Sequence, residues 1–403
     1  MARPHRTHTL RWLWGPAFVA SVAYVDPGNV AANLTSGAQF GYRLVWVLVL
    51  ANLVAMMVQY LSAKLGLVTG ESLADLLGQR LGRGPRLAYF AQAEIVAIAT
   101  DLAEVIGGAI ALNILFGLPL VVGGVIVGAV SIVLLSVQTW RGQRSFEHIV
   151  IGLLVIIAVG FMAGLFVSGV RWGEAASGLV PSFAGRQSVL LAASMLGATV
   201  MPHAIYVHSS LAIDRHGQVG RDAVPRLLRS TRWEVGASML VAGAVNIAML
   251  LVAAAALPGE ATDSILGAHA VITEHLGSVI GALFAIGLLA SGLASTAVGA
   301  YAGATIMQGL LKVKVRVITM RVVTLVPALV VLALGVDPTW ALVVSQVVLS
   351  FGIAFALVPL VYLTGTRLLG KYANPPALAA VAWLAVGLIV ALNVLLIWLS
   401  VTG

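Results

Sequence analysis

Apolar stretches of membrane-crossing length recur from one end of this chain to the other. A spanning helix needs about 20 apolar residues. Stretches of that order occupy 12–36, 43–68, 86–116, 119–139, 147–168, 188–213, 231–256, 278–309, 318–335, 339–364 and 376–400. The 403 residues are 60% hydrophobic and 9% charged, against about 25% charged in a soluble domain, so there is too little polar surface to cover a water-soluble fold. In hydrocarbon a helix satisfies its own backbone hydrogen bonds within one segment. The sequence therefore predicts an all-α integral membrane protein of eleven transmembrane helices, a single domain over 1–403 with little left over for a soluble part. With no cysteine, disulfides, thiolate metal sites and cysteine nucleophiles are excluded.

Charge placement tests this count. If the N-terminus is cytoplasmic and sides alternate, all the Lys and Arg except Arg43, Arg171 and Arg186 fall on the cytoplasmic side. They cluster in the N-terminus and in alternate connections, with Lys64 assigned to the second-to-third connection and Arg321 at the edge of the ninth stretch. A wrong count would scramble this bias, so the expected topology is N-terminus inside, C-terminus outside, multi-pass in the cell membrane. Met1–Arg11 is short and basic, and the stretch after it exceeds a signal-peptide core without a clear cleavage site. It reads as a retained first helix. Asn33-Leu34-Thr35 fits a glycosylation triplet but lies inside that helix and is read as a chance match. The many glycines within the stretches suit close helix packing.

Two interruptions carry the chemistry. Asp26 lies midway along the first stretch, followed by Pro27, Gly28 and Asn29. A charge in hydrocarbon costs about 2.5–3.5 kcal/mol on insertion scales, so it marks function. Proline and glycine are the poorest helix formers, and the helix is expected to unwind here. Unwound carbonyls at membrane depth must line a cavity or meet a partner. The Asp26 carboxylate, the Asn29 amide and carbonyls near Ala23 make a set of oxygen ligands for a cation; Asn29 serves either as a ligand or as a cap on the second half-helix. The sixth stretch holds the second interruption, Gly197-Ala198-Thr199-Val200-Met201-Pro202-His203. Broken helices at matching places of two five-helix halves are the sequence sign of an inverted-repeat transporter. The halves would be about 12–168 and 188–364, with 376–400 an addition. Met201 alone would be a packing residue; opposite Asp26, its thioether favours transition metals over calcium or magnesium.

Other polar residues sit in the apolar stretches. His203 and His208 are five apart and do not share a helix face; each suits either proton carriage or a structural hydrogen bond. Glu94, Asp101 and Glu104 fall on nearly one stripe of the third helix. Such a file suggests a proton relay, and static pairing with Arg321 is the plainer reading. Gln346 and Asn246 either face a cavity or bond between helices. No HExxH zinc-protease signal is present.

Together, Ala23–Asn29, Gly197–His203, Thr100-Asp101-Leu102-Ala103-Glu104 and Gly292-Leu293-Ala294-Ser295-Thr296 resemble the Nramp family of divalent metal transporters, in order along essentially the whole chain. The resemblance implies a LeuT-like 5+5 inverted repeat, helices 1 and 6 unwound mid-membrane, and proton-coupled import of Mn2+ and Fe2+ to the cytoplasm. It implies metal ligands Asp26, Asn29, Met201, the carbonyls of Ala23 and Ala198, and Gln346 in some states. It implies a proton route from Asp26 to Asp101, with Glu104 and Arg321 beyond, and matches His203 to the family's motif histidine. The partners implied are the metal ion, the proton and the bilayer. No cofactor, nucleic acid or obligatory protein partner is expected, and no enzyme activity. A cation-coupled amino-acid or other small-solute carrier on the same fold is the alternative; it needs no thioether. An intramembrane enzyme is a second alternative, but it would leave the repeat without a role.

Overall fold

The computed structural model describes residues 15–402 except 218, 221, 260–263 and 314–316. Arg3, Arg6, Arg11, Arg221, Lys314 and Arg316, placed above on the basic side, lie outside the described residues. Every regular element among the described residues is helical.

The first apolar stretch divides into α1 (Pro16–Val22), a 3-10 turn (Ala23–Val25) and α2 (Pro27–Phe40). Then follow α3 (Val45–Thr69), a short α4 (Leu73–Arg80), α5 (Arg83–Phe116), α6 (Leu120–Arg141), α7 (Gln143–Met162) and a short α8 (Trp172–Ser177). The second broken stretch is α9 (Arg186–Thr199) and α10 (Pro202–His216). The rest is α11 (Val224–Ala256), α12 (Ile265–Leu276), α13 (Ser278–Leu311), α14 (Val317–Ala333), α15 (Pro338–Gly365) and α16 (Pro376–Thr402).

Local sequence explains the boundaries. Ser72 and Asp75 form a reciprocal capping box that starts α4, each satisfying a backbone donor the helix leaves open. Asp337 caps α15 by accepting from the Trp340 amide at 2.8 Å, and Ser264 caps α12 in the same way. The short α4, α8 and α12 lie in connections where the hydropathy pattern predicts no helix.

Nine helical stretches among the described residues are long and apolar enough to cross a membrane, one of them running through both α2 and α3. The half-length first helix, Pro16–Val25, and Arg321–Ala333 of α14 are apolar but shorter. The expected first stretch is thus split, its second half running on into the next, the ninth is short, and the expected count of eleven crossings is not reproduced by length and hydropathy among the described residues. Two charges sit deeper than the topology assigned them. Lys64 belongs to α3 and is almost wholly buried, and Arg321 lies inside α14 with 0% exposure.

The broken helices occupy the centre. α1, α2 and α10 are buried along most of their length. They are enclosed by α3, α5, α11, α13 and α15, with α13 packed along α5 and α7, and α11 along α2 and α3. Close approach depends on glycine where helices meet the breaks. A Cβ on Gly107 of α5 would lie 2.2 Å from the Pro27 ring, and one on Gly66 of α3 would lie 2.3 Å from the Ser209 carbonyl oxygen of α10. The periphery exposes large apolar side chains such as Leu240, Leu384 and Trp398, as a lipid-facing surface does.

Candidate functional site

At the first break the backbone leaves the helix at Asp26, which is extended (φ −71°, ψ 166°). Pro27 is then the first residue of α2, where its missing N–H costs nothing and its fixed φ suits the turn. The proline opens the second half-helix instead of kinking a continuous one. Asp26 is the cap. Its Oδ1 accepts from the Asn29 backbone N–H at 2.9 Å and from Asn29 Nδ2 at 2.6 Å. The capping role weighed for Asn29 therefore falls to Asp26.

The second break is built alike. α9 ends at Thr199, Val200 is non-helical (φ −96°, ψ 85°), and Met201 is extended before Pro202 opens α10. Met201 is fully buried and stands at the N-cap without a side-chain cap bond, since a thioether cannot do what Ser or Asp does there. The two breaks touch through Asn29. Its Nδ2 donates to the Ala198 carbonyl at 3.0 Å, and its Oδ1 accepts from Thr199 Oγ1 at 3.3 Å.

The unwound turn exposes carbonyls that α11 and α13 collect. Asn246 Nδ2 donates to the Tyr24 carbonyl at 2.7 Å and Ser291 Oγ to the Val25 carbonyl at 2.5 Å, with Ser295 Oγ 3.5 Å from the Val22 carbonyl. Among the described residues no side chain donates to the Ala23 carbonyl. Asn246 also accepts from Asn33 Nδ2 at 2.8 Å; of its two readings, the interhelical bond is the one observed.

Three buried polar atoms near this point have no hydrogen-bond partner: Asp26 Oδ2 and both amide atoms of Gln346. They converge on Gly28. A Cβ there would stand 1.7 Å from Gln346 Nε2 and 3.1 Å from Asp26 Oδ2. A buried polar group left unpaired costs about 1–3 kcal/mol, so three at one spot mark a place for a ligand. Gly28 and Gln346 also line a cavity of about 420 Å³. It runs past Ala31, Thr35 and Ser194 to Gln39, Gln187 and Thr339. Those last three residues lie at the end of the bundle where α3 begins; the basic connection through α4 is at its other end. Among the described residues no three His, Asp or Glu side chains are placed to hold a metal ion together. A cation here would meet the Asp26 carboxylate and the Gln346 amide.

Of the third-stretch acids, Asp101 is ion-paired with Arg321, whose Nε donates to Ser131 Oγ at 2.5 Å. Glu104 is fully buried with both carboxylate oxygens unpartnered, within Coulombic reach of Asp26, Asp101 and Arg321. Asp26, Glu104 and Asp101 thus form a connected acidic neighbourhood closed by one guanidinium. Glu94 stands apart. It is only half-buried, and no charged side chain acts on it among the described residues.

The histidines separate as their spacing requires. His203 is buried with both ring nitrogens unpartnered, in a small void beside Gln92, Val96 and Tyr206. His208 Nδ1 is 2.6 Å from Gln59 Oε1, and Gln59 Nε2 donates to the Tyr24 hydroxyl at 2.5 Å. Gln59, Tyr24, Thr199, Ser291 and Ser295 were not singled out from the sequence. Gln59 carried a usable signal, an amide inside an apolar stretch; a membrane serine or threonine commonly bonds its own helix and gives none.

These features define a multi-pass, all-helical membrane protein with a polar site enclosed between two discontinuous helices. The family model described as natural resistance-associated macrophage protein-like, Nramp, matches residues 17–399, and the chain belongs to the Nramp family. The divalent metal cation transporter MntH of Mycobacterium tuberculosis is 59% identical over 397 residues, covering 97% of this chain and 92% of the relative. MntH of Aeromonas hydrophila is 45% identical over 390 residues, covering 96% and 95%. Among solved structures, the Eremococcus coleocola manganese transporter in complex with an aromatic bis-isothiourea substituted compound superposes with a TM-score of 0.85 at 28% identity, over 98% of this chain and 88% of that one. MhsT in complex with L-phenylalanine superposes at 0.62 with 14% identity, over 97% and 100%, a likeness of fold alone. The LeuT-like class expected from the sequence is borne out.

Proposed function

We propose that this chain carries divalent transition-metal ions, Mn2+ and Fe2+ among them, into the cytoplasm together with protons, by alternating access about the site between α1–α2 and α9–α10. The observation that carries the reading is the convergence of unpartnered Asp26 Oδ2 and Gln346 on Gly28, at the floor of a cavity and joined through Asn29 to the second break. The names of the relatives, a divalent metal cation transporter and a manganese transporter, support it.

In this reading Asp26 Oδ2, the Asn29 amide, Met201 sulfur and the Ala23 and Ala198 carbonyls hold the ion, and Gln346 closes over it from the cavity. Oxygen donors bind any divalent ion; the thioether supplies the preference for softer metals. Metal on Asp26 displaces a proton toward Glu104 and Asp101, with Arg321 holding Asp101 in place; His203 is a further station. The cavity is then the outer vestibule, the N-terminus and the basic connections are cytoplasmic, and the C-terminus is outside. The spans 12–168 and 188–364 act as two inverted repeats, with 376–400 an addition.

Proteoliposomes test this. Mn2+ influx and internal acidification would be followed for wild type, Asp26→Ala and Asp101→Ala. Wild type takes up Mn2+ and acidifies the lumen, Asp26→Ala does neither, and Asp101→Ala loses acidification preferentially. Wild-type vesicles without Mn2+ influx would sink the metal reading, and influx without acidification would sink the proton coupling.

A further inference from the structure

A second cavity, of about 400 Å³, lies at the basic end of the bundle, between the last turns of α3, the first turns of α11 and the α15–α16 connection. Lys64, Arg229 and Arg232 supply its charge, Tyr60 and Tyr372 its aromatic walls, and Leu378 part of an apolar side. Arg229 and Arg232 are three apart and share one face of α11. Lys64 is held to the Asn374 side chain, and Asn374 Nδ2 donates to Thr364 Oγ1 at 2.9 Å. Both Lys64 and Arg232 lie over the Tyr60 ring, at 5.9 and 5.4 Å from its centre.

Nothing negative balances these charges. No carboxylate lines the cavity, and among the described residues none of the three cations is in an ion pair. Arg232 is the charged group that acts on Lys64, so two cations are held in mutual repulsion with Lys64 nearly wholly buried. The Tyr372 hydroxyl beside them is buried and has no hydrogen-bond partner. Basic residues and a spare hydroxyl around a cavity suit a phosphate group, for which arginine is the preferred side chain. The apolar side and the position of the cavity favour a lipid as its carrier. Trp233, next to Arg232 and exposed, is of the type that marks the membrane–water boundary, and basic pockets between spanning helices at that level take anionic head groups.

We propose that this cavity binds the phosphate head group of an anionic phospholipid from the leaflet on the basic side, clamping α3, α11 and the α15–α16 connection together. The clamp bears on the transport core through α3. Two residues before Lys64, Ser62 Oγ donates to the Ile205 carbonyl of α10 at 2.6 Å, the half-helix that begins after Met201.

The full-length protein in neutral-detergent micelles would be titrated with phosphatidylglycerol, with phosphatidylcholine of the same chains, and with inorganic phosphate, following the melting temperature. Wild type gains stability with phosphatidylglycerol only. Arg229→Gln/Arg232→Gln needs about 30-fold more lipid for the same gain, from about 1 kcal/mol per basic residue near an anionic lipid surface. Arg80→Gln, an exposed change on α4 at the same end of the bundle, behaves as wild type. Arg229→Gln alone, at an exposed side chain, shows an intermediate shift and keeps the test open if the double variant folds poorly. Equal stabilisation of wild type and variants, or of wild type by the two lipids, overturns the proposal. The same gain from inorganic phosphate alone overturns the lipid assignment in favour of a soluble phosphate.

Discussion

Adding a single methyl group at Gly28 probes whether Gln346 helps hold the cargo. The new Cβ would stand 1.7 Å from Gln346 Nε2 and 2.6 Å from its Cδ. Restoring ordinary contact at about 3.5 Å moves the amide by about 1.8 Å, beyond coordination of anything held by Asp26. The backbone does not resist, because Gly28 is not among the positive-φ glycines. The 3.1 Å approach to Asp26 Oδ2 asks only a small adjustment. The variant should fold and melt near wild type, since the displaced atoms end a flexible side chain. A lost hydrogen-bond-grade contact to a charged group is worth about 1.5–3 kcal/mol, or roughly 10- to 150-fold in affinity. Gly28→Ala should therefore raise the Mn2+ concentration for half-maximal uptake by that factor, measured in proteoliposomes. Gln346→Ala should do the same alone, and adding Gly28→Ala to it should change the free energy by less than about 0.5 kcal/mol. Wild-type uptake by Gly28→Ala, or penalties that sum in the double variant, would refute the reasoning.

Three further outcomes are expected. Met201→Ala should lower Mn2+ uptake relative to Ca2+ and Mg2+ in a competition assay, because only the soft donor is lost; an equal fall for all three removes selectivity from Met201. Arg321→Gln leaves Asp101 buried without its cation and should destabilise by about 3–5 kcal/mol, while Asp101→Asn/Arg321→Gln should recover much of the loss in thermal melting. Gly66→Ala drives a methyl into the Ser209 backbone carbonyl and should cost about 1–3 kcal/mol; unchanged melting would show that α3 and α10 part without penalty.

The sequence shows membrane residence, the positions of the spans and both breaks directly, because each depends on a strong local signal: apolar length, or a charge beside proline in hydrocarbon. Asp26 was legible for that reason; Met201 drew notice only through the matching proline break, and Ala198 only through the family resemblance. Arg321 was harder. At the start of a stretch it reads as a flanking charge, and only the tertiary pairing with Asp101 makes burial tolerable. Lys64 was placed in a connection on the same logic, but its bond to Asn374, more than 300 residues away, draws it inside. The assignment of the cap to Asp26 and not Asn29 depended on which side chain turns back to the helix, a matter of a few torsions. Asn246 allows two readings in the sequence, facing a cavity or bonding between helices, and only the tertiary fold brings the Tyr24 carbonyl and Asn33 beside it. Thr199 gives no signal because isolated hydroxyls in helices are common, whereas the Gln59 amide inside an apolar stretch does.

The short helix α1 is anchored at its far end, where its Ala17 amide donates to Glu234 of α11 at 3.0 Å. At its near end the helical ladder is already discontinuous at Asp26. A change in the angle between α1 and α2 would thus be a rotation about a few backbone torsions, with no i-to-i−4 bond to break in the middle of the membrane. The resistance to such a swing would sit at both ends of the lever, in the Glu234 contact at the far end and in the bonds from Asn246, Ser291 and Ser295 to the unwound carbonyls at the near end. The Glu234 contact is the part of that resistance that lies away from the site, so mutation there can tune how readily the helix swings without touching what the site holds.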